Sequence, residues 1–180
     1  MTIGPLILRV VLGAVFIGHG TQKLFGWWNG GGPAGTAAMF DRGGFRPAPT
    51  FAIVGGLTEA VAGLLLLLGF LTPFGSAAVI GVMLTAIVAV HLPNGMWNTN
   101  GGFEFPLVNI AVAAALAFLG PGRVSLDHVI GWNLRGVAWG LTAVGLGIVA
   151  GLLVLAWRNA QLARPAPAAE EGGHQPPRAA

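Results

Sequence analysis

Cysteine is absent from this chain, which excludes disulfides, thiolate metal sites, iron–sulfur ligation and thiol relays built from its own residues. Charge is nearly as scarce. Only 8% of the 180 residues are Asp, Glu, Lys or Arg, against about 25% in ordinary globular domains. With 54% hydrophobic residues, a water-soluble domain of this size could not cover its surface. Lysine occurs once, at Lys23, and the arginines fall mostly in loops and towards the C-terminal end. The high pI therefore reflects a shortage of acids rather than a basic stripe, and nucleic-acid binding finds no support. No Walker or Rossmann phosphate loop is present, because the glycines at 30–32 lack a strand–helix context. No Ser-centred nucleophile motif is present either. The opening run MTIGPLILRVVLGAVF has no basic region ahead of it and no small-residue cleavage signal, so a retained span is expected rather than a signal peptide.

What the chain does have is hydrophobic length. Five stretches, at 5–27, 50–71, 73–92, 105–120 and 136–157, approach the ~20 residues that cross a bilayer core. The expected fold is all-α: an integral membrane four-helix bundle, a fifth transmembrane helix, and a disordered C-terminal tail. Residues 1–122 form the four-helix unit, 123–158 a connecting loop and the additional helix, and 159–180 the tail, which is rich in Pro, Ala and charge. The lipid bilayer is the first expected partner, and the cell (inner) membrane the expected location. Pro5, Pro73 and Pro106 fall near helix starts, where a missing N–H costs nothing. Trp27, Trp28, Trp132, Trp139 and Trp157 mark span ends, as aromatic residues do at the headgroup level. Gly56, Ala60 and Gly63 form one small-residue stripe, and Ala143, Gly147 and Gly151 another, which suit close helix packing. Residues 28–49 are too long for a hairpin and are expected to be a loop containing an apolar stretch, Ala37 to Phe40.

Five spans put the ends of the first and third, and the starts of the second and fourth, on one side of the membrane, here called side B; the opposite side is side A. Four consecutive helices then carry polar groups in the side-B half: His19, Glu59, His91, and Glu104 with Asn109 one turn deeper. Apart from Arg9, the side-A half of these spans is nearly free of charge. At 100° per residue, Arg9, His19 and Lys23 fall within an arc of ~80°, with Gln22 at its edge, so one face of the first helix should point into the bundle. Mid-helix charge costs roughly 2.5–3.5 kcal/mol on translocon scales, and a shared network would offset it. Glu59 and His19 are the expected catalytic pair, since neither can reach water by stretching. Arg9, Gln22, Lys23, His91, Glu104 and Asn109 are expected to bind a ligand beside them. A second reading stands for several: Arg9 and Lys23 can snorkel to headgroups, and His91 and Glu104 can be ordinary wetted residues. No H-x-x-x-H or E-x-x-H spacing occurs, and no metal site is predicted.

The stretches RVVLGAVFIGHGTQKLFG (Arg9 to Gly26), GGLTEAVAGLLLLLGFLTPFGS (Gly55 to Ser76) and AVHLPNG (Ala89 to Gly95) resemble the DoxX family of small membrane proteins. The resemblance covers about residues 5–120 and leaves the fifth span outside it. It implies a four-helix membrane bundle whose polar residues are Arg9, His19, Gln22, Lys23, Glu59 and His91. Some relatives are subunits of thiosulfate:quinone oxidoreductases, and others join membrane complexes that handle oxidative stress and thiol balance. The expected function is therefore a subunit of a redox-linked complex that binds a quinone in an intramembrane polar pocket. Without cysteine, electron chemistry would need a partner redox subunit or a bound molecule, and a homo-oligomer is the other assembly expected. A proton-coupled transporter and a membrane scaffold are the alternatives. Arginine and lysine bias predicts a cytoplasmic side B, whereas the family resemblance implies the opposite orientation.

Overall fold

The computed structural model describes residues 3–164, all of them helical or irregular, with no strand among them. Seven α-helices follow one another: α1 (Ile3–Phe25), α2 (Gly32–Arg42), α3 (Ala48–Leu68), α4 (Thr72–Ala86), α5 (Glu104–Leu119), α6 (Leu126–Val129) and α7 (Val137–Leu162). A π turn over Ile87–His91 and a 3-10 turn over Leu92–Asn94 prolong α4, so that Thr72–Asn94 forms one apolar span. Four segments are long and apolar enough to cross a membrane: Ile3–Phe25, Ala48–Leu68, Thr72–Asn94 and Val137–Leu162. The shorter α5, ~24 Å at 1.5 Å per residue, buries Ala113, Leu116 and Ala117 completely.

The chain is thus an all-helical membrane bundle. Helix α1 packs on α3, α3 on α4, and α4 on α5; a narrower contact between α5 and α1 closes the ring. Helix α7 lies outside that ring, against α4 and α5. Two differences from expectation stand out. Residues 28–49 are not a plain loop, because Pro33 sits in the first turn of a real helix, α2, which packs on α1 and α3. Helix α7 also continues past Trp157 to Leu162, so residues 159–162 are helical; the rest of the expected tail, from 165 on, lies outside the described residues.

Glycines explain the tightest contact. Gly13 and Gly20 on α1 face Gly63 and Gly56 on the antiparallel α3. A Cβ at Gly13 would lie 2.7 Å from the Gly63 carbonyl oxygen, and one at Gly20 2.7 Å from that of Gly56. No real side chain tolerates such distances. Lipid tails give helices no hydrophobic reason to associate, so backbone-to-backbone packing must supply the attraction. Helix α7 repeats the device on α4: a Cβ at Gly147 would meet the Ala77 carbonyl at 2.7 Å, and one at Gly151 the Gly81 carbonyl at 3.0 Å. Leu12, Phe16, Leu66, Val79 and Leu116 fill the ring's interior.

Side A is closed by two charges. Arg9 is 2% exposed and turned inward, not out to the headgroups. Its guanidinium donates to the carbonyls of Leu66 and Leu67 at the end of α3, and to those of Pro121 and Val124 in the following connection. Cationic groups suit this negative end of the helix dipole. Asp127, fully buried, accepts from the N–H of Leu71 (2.8 Å), and from the N–H and hydroxyl of Thr72 (3.3 and 3.2 Å), capping α4. Side A therefore carries a buried acid that the depth comparison of the spans overlooked, because Asp127 lies in a connection rather than in a span.

Gly20→Ala should force α1 away from α3 and cost about 1–3 kcal/mol of stability. Thermal unfolding in mild detergent checks this, with Gly18→Ala as the comparison: a Cβ at Gly18 meets nothing within 4 Å, so its midpoint should stay level or rise.

Candidate functional site

The α1–α3 seam sets the position of an ion pair inside the bundle's side-B half. Lys23, in the last turn of α1, reaches across the small Gly56, where a Cβ would come within 3.2 Å of the lysine Cβ. One turn deeper on α3, Glu59 receives it, Nζ donating to Oε2. The Glu59 side chain is 5% exposed and that of Lys23 19%. Neither charge is left alone in an apolar medium, where an unpaired carboxylate would cost several kcal/mol. Lys23 thus turns inward to Glu59 instead of snorkelling.

On another face of α1, an open groove of about 490 Å³ is lined by His19, Gln22, Trp27 and Trp28 together with small and aliphatic residues such as Gly18 and Leu67. Local chain reversal builds its side-B end. Trp28 and Asn29 adopt left-handed conformations (φ 55° and 61°), folding the tryptophans back, and Gln22 Nε2 donates to the Trp28 carbonyl at 3.3 Å. His19 sits between two aromatic rings, Phe16 and Phe105 of α5, at centroid distances of 6.5 and 6.3 Å. The groove wall is apolar with a few polar groups, and the groove is open rather than enclosed.

The residues singled out from the sequence therefore separate into groups. Lys23 and Glu59 form the pair, and His19 and Gln22 line the groove. Arg9 belongs to the side-A closure. His91 and Glu104 instead fasten the connection between α4 and α5: His91 Nδ1–H donates to the Gly101 carbonyl at 2.7 Å, and Glu104 Oε2 accepts from the Asn98 N–H at 3.0 Å. Asn109 is buried and donates to the sulfur of Met83 at 3.7 Å. Among the described residues, no three His, Asp or Glu side chains converge as metal ligands would.

Other contributors went unnoticed in the sequence. Trp27 and Trp28 read there as an interfacial belt, but they also form groove wall; the Trp-Asn-Gly-Gly-Gly run was the turn signal for their return. Thr36 on α2, 6% exposed, points its hydroxyl at the Lys23 carbonyl at 3.5 Å.

Comparison with known proteins places residues 4–92 in a match to the DoxX family. A Mycobacterium tuberculosis protein described as "uncharacterized membrane protein Rv3486" is 33% identical over 133 residues, which is 68% of this chain and 78% of the relative. No solved structure matches.

The pair's geometry carries a measurable signature. Lys23→Met alone should destabilise the protein by about 2–3 kcal/mol, a little below the value for a fully enclosed pair because Lys23 keeps some access to solvent. The double variant Lys23→Met/Glu59→Leu should recover most of that loss in the same detergent unfolding assay.

Proposed function

This chain belongs to the DoxX family of membrane proteins, and on that premise we propose that it serves a redox-linked membrane complex by binding a quinone at the α1 groove. The observation that carries the reading is that α1 presents His19 and Gln22 to a laterally open groove and, on another face, brings Lys23 to the buried Glu59. The lining fits such a head group. A quinone offers two carbonyl oxygens on a flat apolar ring; His19 can donate to one oxygen, and the second N–H of the Gln22 amide to another. Trp27 and Trp28 supply flat surfaces for the ring. A bound quinone would supply two-electron, two-proton carrier chemistry. The chain's own part is to orient the ring and to hold protons near it. A histidine is suited to proton exchange near neutral pH, and Glu59, on the neighbouring α3 and paired with Lys23, is the carboxyl group that would exchange protons with it. With no cysteine in this chain, electrons would come from a partner subunit or a bound molecule.

A second reading has its own support. The Lys23–Glu59 pair joins α1 and α3 where their backbones touch, which is what a scaffold for partner subunits would need. The two readings part on one substitution. Under the first, Glu59→Gln should lower quinone-dependent turnover by about a hundredfold or more while the protein still inserts, and mass spectrometry of the natively purified protein should find bound quinone. Under the second, Glu59→Gln should lower the unfolding midpoint and leave turnover unchanged.

A further inference from the structure

Helix α2 has no place in a minimal bundle, and its surroundings give it a role. It begins at the end of the Gly30–Gly32 run and ends before Gly43–Gly44, and Gly32 and Gly44 have φ of +60° and +81°. Such flanks let a short helix move as a body. Its inner face lies over the side-B ends of α1 and α3. Thr36 meets the Lys23 carbonyl, and Phe40 lies against Gly55, where a Cβ would come within 3.2 Å of its ring. Gly55 and Gly56 are one turn above Glu59 on α3, so α2 packs over the side-B approach to the ion pair.

The far end of α2 is held by a helix from outside the ring. In the last turns of α7, the Trp157 indole N–H donates to the Arg46 carbonyl at 2.9 Å, and Arg158 Nε to the Gly43 carbonyl at 2.5 Å. The Arg158 guanidinium also lies 5.6 Å from the centre of the Phe45 ring, itself packed edge-on against Phe40 at 5.2 Å. Leu162 presses on Gly44, where a Cβ would come within 2.6 Å of its Cδ2. All of these contacts fall on the short segment between α2 and α3. Helix α7 otherwise packs on α4 and α5, so it serves neither member of the ion pair directly.

We propose that α2 is a lid over the side-B mouth of the Lys23–Glu59 pair, and that Trp157, Arg158 and Leu162 of α7 are its latch. The inference does not depend on what the α1 groove binds. It gives the fifth helix, which lies beyond the family match at residues 4–92, a purpose: it governs when water reaches a pair that the four-helix ring alone would leave covered only by a loosely hinged helix.

The lack of native cysteine makes the test direct. A single reporter, Thr36→Cys, placed on the lid's inner face, is reacted with a sulfonated, membrane-impermeant maleimide in purified protein. Arg158→Gln should speed its labelling about tenfold or more, the scale of losing a hydrogen bond from a charged donor. Trp157→Phe, which keeps the ring and removes only the N–H, should give a smaller acceleration. Ser76→Cys, buried in α4, reports on the whole bundle and should stay unreactive in both variants. An unchanged Thr36→Cys rate in Arg158→Gln overturns the latch. Parallel acceleration at Ser76→Cys in both variants also overturns it, because the bundle would then be loosening as a whole.

Discussion

The contact of the α1 and α3 backbones is the constraint from which the other features follow. Inside a bilayer, apolar side chains gain nothing by leaving lipid for each other, so two helices stay together only through close packing and polar bonds. Gly13, Gly20, Gly56 and Gly63 bring the two main chains to a separation that no larger residue allows. That separation lets the short reach from Lys23 to Glu59 close across Gly56. With a wider gap, the carboxylate would need another cation or its own proton. Packing and electrostatics here are one arrangement.

The two halves of the membrane use charge differently. On side A, Arg9 and Asp127 are spent on main-chain groups at the ends of α3 and α4, a role that leaves their polar atoms occupied. On side B, Glu59 meets one cation, and His19 faces a groove rather than a backbone partner. A site that must exchange protons or hold a ligand needs polar groups that are not all committed to the fold. By that measure the side-B half is where the proposed site belongs, and the side-A polar groups serve the fold.

Much of this was legible in the residues. The five apolar runs became helices, four of them long enough to cross a membrane and α5 shorter, because in lipid a span must satisfy its own main-chain bonds. The stripes on α3 and α7 could be read from spacing, and Glu59 stood out because burial makes a lone carboxylate costly. The unread part was side-chain destination. Arg9 could as well have risen to the headgroups, and the carbonyls of Leu66, Leu67, Pro121 and Val124 drew it inward. His91 and Glu104 lie at the depth of Glu59's mouth, yet a glycine-rich connection offered them nearer partners. Asp127 and α2 were missed because both depend on segments folding back onto the bundle, which no periodicity records. Ser125, which caps α6 two residues before Asp127, was the local hint.

A ring of four rods has four joints, and these joints are unequal. The one between α1 and α5 is the slenderest, and it is where the imidazole of His19 meets the phenyl ring of Phe105. If the barrel of helices parts to admit a guest from the surrounding lipid, it has least to give up at that joint, so the entrance and the histidine that would greet the guest share an address.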